Sequence, residues 1–386
     1  MFSALRHSNF RLFWLNGATQ AMAQGMQFLI LGWLVLDITG SSYQLGLVIF
    51  AFGLPNIPFA LLGGVIADRA NRLKLLILTR ICVSTLIFAL AILRISDLLD
   101  IWHVYAVVFL LGTIQGLNMP ARQAIVADLV ERDDMMNAVA LHTMVNQTGQ
   151  IIGPAAAGGI IELVGIGPTL LVNAGLYLSG IGFLLFITGL PRRSATKGVK
   201  LLAELGAGLQ CVRSTPILLT VIGMTLAFAF FALSFRQVMP AIAQEVLEIG
   251  PGGTGLLLLA VGLGSLFGNL ILAGLGDFRR KAGLLMASVL LQSVFLTLFA
   301  WSPWPWVSWV ILLFVGAMSF GFFVPLVVTL IQLNVPPELR GRVFSILGLA
   351  PAVHYLGAFP LALAATAISW PFSVPAGAAL ILLLAF

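Results

Sequence analysis

The chain has 386 residues, of which 60% are hydrophobic and 9% charged, with a formal net charge of +6 and a mean hydropathy of +1.06. Soluble domains carry about 25% charged residues, so a water-soluble fold is excluded and a polytopic membrane protein remains. The positive balance would suggest nucleic acid in a soluble protein, but here it falls in loops between apolar runs, where it sets orientation in the bilayer.

A membrane helix needs about 20 apolar residues. Twelve runs meet that length, at roughly 11–36, 44–67, 74–93, 101–119, 138–161, 167–189, 216–239, 253–275, 283–301, 305–330, 343–366 and 370–386. The first is too long for a signal-peptide core and has no small-residue cleavage site after it. Pro351, Pro360, Pro371 and Pro375 interrupt the last two runs. The expected fold is an all-α integral membrane protein, with twelve transmembrane helices in two pseudo-symmetric six-helix bundles. The one long polar stretch divides them into an N-terminal bundle (1–190), a cytoplasmic linker (191–215) and a C-terminal bundle (216–386). Within the linker, residues 201–210 read either as a surface helix on the inner leaflet or as a tether. Cys82 and Cys211 are expected as free thiols.

Basic residues occupy alternate loops. Arg6 and Arg11 precede the first run; Arg69, Arg72 and Lys74 follow the second; Arg122 and Arg132 the fourth; Arg192, Arg193 and Lys197 the sixth; Arg279, Arg280 and Lys281 the eighth; Arg340 and Arg342 the tenth. Arg94 and Arg236 are the exceptions. The positive-inside rule then puts both termini in the cytoplasm.

Two of these loops repeat one pattern about two hundred residues apart: Gly64-Val-Ile-Ala-Asp68-Arg69-Ala-Asn-Arg72 and Gly274-Leu-Gly-Asp277-Phe-Arg279-Arg280-Lys281. An acid-then-base turn used twice between apolar runs points to internal duplication, the organisation of secondary transporters. Together with Leu5-Arg-His-Ser-Asn-Phe-Arg-Leu-Phe-Trp14, Gly46…Leu54-Pro55 and Val335-Pro-Pro-Glu-Leu-Arg-Gly-Arg342, these turns resemble the major facilitator superfamily over essentially the whole length. Within it they resemble the branch that includes enterobactin and macrolide exporters.

The resemblance implies a cytoplasmic signature at Gly64, Asp68, Arg69 and Arg72, echoed at Asp277. It would act as a conformational latch, with Asp68 pairing to Arg69 or Arg72 or facing a helix N-terminus; the plainer reading is a topogenic turn. It also implies an exporter motif on the fifth helix at Gly149, Gly153, Pro154, Gly158 and Gly159, with one residue inserted before the glycine pair. That motif reads as a pivot and seal, or as ordinary small-residue packing. Three positions depart from the pattern. Asn71 and Ala273 stand where signature glycines are usual. Gly112 opens Gly112-Thr-Ile-Gln115-Gly116, where proton-driven relatives carry a membrane arginine thought to take part in coupling. The family usually adds a polar tail, so the apolar ending Leu384-Ala-Phe386 reads as a truncation.

Asn16, Gln20 and Gln24 follow i, i+4, i+8, as do His142, Asn146 and Gln150, so each set lies on one helix face. Such stripes face protein or a wet cavity rather than lipid. With Gln115 and His354 they are candidates for a substrate cavity; interhelical hydrogen bonding is the alternative. His354 lies about twelve residues, or roughly 18 Å, into the eleventh run. It is a proton-coupling candidate, as are Asp37 and Arg236. A neutral bonded histidine, a turn role for Asp37 and snorkelling of Arg236 are the competing readings. No acidic residue falls deep inside a run, which favours a neutral or anionic substrate.

The expected function is proton-coupled export of small amphipathic molecules of drug or siderophore type by alternating access. An importer or facilitator of a small metabolite on the same fold is the alternative. The four histidines are scattered, and there is no nucleotide loop, so no catalytic residue, metal or cofactor is expected and the chain is not read as an enzyme. The expected partners are the substrate, protons and the lipid bilayer, with no nucleic acid. The expected state is a monomer, multi-pass in the bacterial inner membrane.

Overall fold

The computed structural model describes residues 3–69, 71–188, 201–276, 278 and 280–385, and every regular element among them is helical. A 3-10 turn, Ser3–Arg6, leads into α1 (Ser8–Thr39). α2 (Ser42–Arg69) keeps Pro55 and Pro58 inside. α3 (Arg72–Ile95) starts at Asn71, whose side chain accepts from the Lys74 backbone N–H. Asn71, which stands where the resemblance leads one to expect a glycine, therefore serves as a helix N-cap. Asp100 and His103 form a capping box at the start of α4 (Ile101–Leu129). α5 (Met135–Val164) and α6 (Ile166–Leu185) complete the first half.

α7 (Leu201–Ser214) is a helix in the expected linker, of which residues 191–200 lie outside the described part of the chain. It packs on α14 (Pro337–Leu347). The expected seventh span, continuous over 216–239, is broken. α8 (Pro216–Phe231) stops, Ser234–Arg236 make a 3-10 turn, and α9 (Met239–Glu245) resumes. The Ser234 hydroxyl turns back on the Phe230 carbonyl, a local bond that competes with the helical ladder. α10 (Pro251–Gly274) and α11 (Lys281–Trp301) follow. The tenth span runs α12 (Pro305–Gly316), a π-helical segment (Ala317–Phe323) and α13 (Val324–Asn334). The expected eleventh span divides between α14 and α15 (Ala350–Ile368), because Pro351 starts a helix more readily than it continues one. α16 (Trp370–Ala385) is last.

Ten helices among the described residues are long and apolar enough to cross a membrane. α5 and the shorter α16 stand at the positions of the fifth and twelfth expected spans. α4 extends ten residues past its expected end, which places Arg122 inside a helix rather than in a loop.

The chain divides into two compact units, Met1–Gly40 with Ala51–Val199, and Ser41–Phe50 with Lys200–Phe386. In the first, α1 packs on α5 and α6, and α3 on α6. In the second, α10 packs on α12 and α11 on α16. The first turns of α2 belong to the second unit. There Tyr43 and Phe50 meet Phe359 with ring centroids 5.6 Å apart in each case, and Glu245 accepts from Ser42 and from Trp370 Nε1. The units echo one another at two close crossings. A Cβ at Gly112 of α4 would sit 2.1 Å from the Phe52 carbonyl of α2, and one at Gly316 of α12 would sit 2.0 Å from the Val261 carbonyl of α10. The same close helix approach, about two hundred residues apart, is what duplication of one unit produces.

Candidate functional site: a glutamine-lined cavity in the first unit

The polar face of α1 opens on a cleft of about 450 Å³, part of it open to solvent, walled by α1, α2, α3, α4 and α6. Gln20, Gln24 and Gln27 from α1 and Gln115 from α4 line it, with Phe28 and Phe52 as apolar walls. The Gln24 amide donates to Gln115 Oε1 at 2.9 Å. Tyr177 donates its hydroxyl to Gln27 Oε1 at 2.8 Å, and Asn118 donates to the Thr79 hydroxyl. No lining residue is acidic.

At the inner wall stands Arg80 of α3, only 3% exposed. Its Nη2 donates to the Asn16 carbonyl at 2.7 Å, to Asn16 Oδ1 at 2.8 Å and to Gln20 Oε1 at 3.1 Å. Its Nη1 reaches the Tyr177 carbonyl at 3.3 Å and the Thr19 hydroxyl at 3.4 Å. Every one of these acceptors is uncharged. Asn16 in turn donates to the Gly180 carbonyl at 2.8 Å, so it positions Arg80 rather than facing the cleft.

Of the residues expected to line a cavity, Gln20, Gln24 and Gln115 come together here. Asn146 instead donates to the His142 carbonyl of its own helix at 2.7 Å, while His142 stacks on Phe13. Gln150 is half-buried on α5 and is not a lining residue. Gln27 and Arg80 are additions. Gln27 extends the α1 stripe by one more turn, seven residues after Gln20. Arg80 is a lone cation about six residues inside an apolar run, a pattern that marks function by default.

In the second unit, Arg236 ends the 3-10 turn with its guanidinium 5.1 Å from the centroid of Phe320, a cation–π contact. Phe320 belongs to the π-helical segment, an irregularity that re-aims side chains. On α15 the rings of His354 and Tyr355 have centroids 4.0 Å apart. Ser234 donates to the His354 carbonyl at 3.0 Å.

Among the latch residues, Arg72 binds Asp128 at 2.7 Å and also donates to the Ala124 carbonyl at 3.2 Å, which ties the start of α3 to the end of α4. Gly64 lies in α2, and Asp68 and Arg69 lie in its last turn, their side chains outside the described part; Asp277 is not among the described residues. Asp37 pairs with Arg94 at 2.7 Å, and Arg94 also holds Asp97 at 3.3 Å. Two carboxylates thus neutralise Arg94, one of the two arginines that break the alternation of basic loops. On α5, Gly149 and Gly153 face Ala21, Met22 and Gly25 of α1, Pro154 and Gly158 are buried, and a Cβ at Gly159 would meet nothing within 4 Å. Near the N-terminus, His7 contacts Asp134 at 2.8 Å. Hydrogen bonds from Ser3 and His7 hold the Asp134 carboxyl below the usual carboxylate range.

The family profile MFS_3, described as "Transmembrane secretion effector", matches residues 1–386. The multidrug efflux pump Tap of Mycolicibacterium fortuitum is 28% identical over 367 residues, 90% of this chain and 87% of that one. Macrolide efflux protein A of Enterococcus faecalis is 22% identical, over 80% of this chain and 96% of its own length. The enterobactin exporter EntS of Shigella boydii is 26% identical, over 79% and 73%. Among solved structures, the nucleoside transporter NupG superposes with a TM-score of 0.77 at 15% identity, covering 98% of this chain and 97% of that one, a likeness of fold alone. With a profile spanning its full length and the helical organisation described above, the chain belongs to the major facilitator superfamily, in its family of transmembrane secretion effectors, and is a membrane transporter rather than an enzyme.

Proposed function

We propose that this transporter is a proton-coupled exporter of small amphipathic molecules, neutral or anionic, working by alternating access. The observation that carries the reading is the cleft itself: four glutamines, aromatic walls and one arginine, with no carboxylate to neutralise an organic cation. Amide side chains offer both donors and acceptors, which suits varied polar groups on an apolar frame. Export, and a substrate of drug or siderophore type, is supported by relatives named as multidrug, macrolide and enterobactin efflux proteins. The basic loops support a bacterial inner-membrane setting with both termini cytoplasmic. His354, Asp37 and Arg236 are the candidates for the coupled proton, Gly64, Asp68, Arg69, Arg72 and Asp277 make up the latch, and a monomer is the working unit.

The test is accumulation of a substrate panel, including a macrolide and a siderophore, in an efflux-deficient strain with and without a protonophore. Expression should lower accumulation of at least one neutral or anionic compound, and the protonophore should restore it. Efflux indifferent to the protonophore would remove the coupling. Counterflow in proteoliposomes separates export from facilitated entry.

A further inference from the structure

We propose that Arg80 is the anion-recognition residue of the glutamine-lined cleft, and that the cleft takes its ligand by a monoanionic carboxylate-type group laid against this guanidinium. The proposal rests on the transport reading above and narrows the substrate class of the same cavity.

Three observations carry it. First, Arg80 is 3% exposed, lines the cleft, and spends its hydrogen bonds on uncharged acceptors only. Burying a cation without a counter-charge is unfavourable, and intramembrane cations are kept where they pair or serve a pathway. Second, a further cation lies on a helix that walls the cleft. Arg122 lies seven residues after Gln115 on α4, so on the same helix face. Its Nε and Nη1 are buried and reach no acceptor. Third, the described carboxylate on the same helix, Asp128, is engaged by Arg72 at 2.7 Å. The wall therefore holds excess positive charge that a bound anion would offset, while the surrounding amides bind the rest of the ligand. A purely structural Arg80, stapling α1, α3 and α6 through carbonyls, predicts no preference for charge.

The probe pair is benzoate and benzamide, alike in shape and different in charge at pH 7. Purified transporter in detergent is titrated with each, and apparent affinity is read from the rise in unfolding temperature. Benzoate should bind about tenfold or more tighter than benzamide, the scale of one charge-assisted hydrogen bond. Arg80→Gln should erase that preference and Arg80→Lys should keep part of it. Gln115→Glu leaves the Arg80 staple intact yet places a carboxylate on the cleft wall, so it too should erase the preference. Equal binding of the two probes by the wild type, or a benzoate preference that survives both Arg80→Gln and Gln115→Glu, overturns the proposal. The same preparations are tested in the cellular efflux panel. A benzoate preference without efflux leaves the anion subsite standing and removes the export reading. Efflux by a protein indifferent to charge removes only the subsite.

Discussion

Substituting Gly149 by alanine should open the α1–α5 crossing. The added Cβ would lie 2.4 Å from the Ala21 carbonyl carbon and Cβ and 2.7 Å from the Met22 nitrogen. Ordinary carbon contacts begin near 3.4 Å, so the helices must separate by roughly 1 Å. The obstacle is backbone on one side and a methyl group on the other, neither of which can swing away. Overpacking of this kind costs about 1–3 kcal/mol. The same crossing is so close that a Cβ at Gly153 would lie 2.8 Å from the Gly25 Cα, which puts Gly149→Ala near the upper end. At about 2–4 °C per kcal/mol for a unit of this size, the unfolding temperature in detergent should fall by about 5 °C or more. Gly159→Ala on the same helix is the matched control, because its Cβ meets nothing within 4 Å and alanine is favoured over glycine by about 1 kcal/mol in a helix. That variant should be neutral or slightly stabilising. Equal shifts for the two variants would refute the packing argument, and a destabilised Gly149→Ala with unaltered transport would remove the pivot role while leaving the packing intact.

Asp128→Asn should cost about 3 kcal/mol of stability, because it removes the carboxylate that pairs with the largely buried Arg72 charge; Arg72→Leu combined with Asp128→Leu should recover much of it in the same thermal assay. Asp68→Asn should impair efflux more than Asp277→Asn, since only the first turn keeps the leading glycine and most of the signature; equal losses in a transport assay would count against a latch. The Asp134 carboxyl is held below its ordinary value by Ser3 and His7, so its contribution to docking the N-terminal turn is complete above the ordinary carboxylate range and fades as pH falls through the lowered value. Hydrogen exchange at residues 3–7 should therefore stay slow through mildly acid pH and quicken only below it, and Asp134→Asn should make exchange at neutral pH faster.

The elements most legible in the sequence are those set by local periodicity. The stripe Asn16, Gln20, Gln24 announces a single helix face, of which Gln20 and Gln24 line the cleft while Asn16 binds Arg80. Long apolar runs announce the helices, because a membrane demands length and little else. What escapes is decided by packing across the chain. Arg122 is hidden because α4 continues ten residues past its apolar part, carried by helix-forming Ala and Gln residues and tied down by the Arg72–Asp128 pair. Asn146 looks like a cavity amide, yet it satisfies itself on the His142 carbonyl, a choice that i, i+4 spacing leaves open. The break after Phe231 follows no proline or charge. It depends on Ser234 bonding to the Phe230 and His354 carbonyls, and the second of these lies 120 residues away.

The departure at Gly112 and the presence of Arg80 have one physical explanation. Proton-driven relatives place a membrane arginine where this chain has Gly112. Here α4 lies so close to α2 that even a Cβ would come within 2.1 Å of the Phe52 carbonyl, so no longer side chain fits without parting the two helices. The guanidinium that this unit does hold projects from α3, at Arg80, into a cleft that Gln115 of the same α4 pattern also lines. A cation reached from α3 is anchored by carbonyls of α1 and α6 rather than by the α2–α4 contact. Its charge is thus tied to the cleft wall and the α2–α4 seam is free to stay closely packed. Gly112→Arg would therefore not restore a relative's chemistry; it would pry α2 from α4 and add a further uncompensated cation to a unit that already holds Arg80 and Arg122.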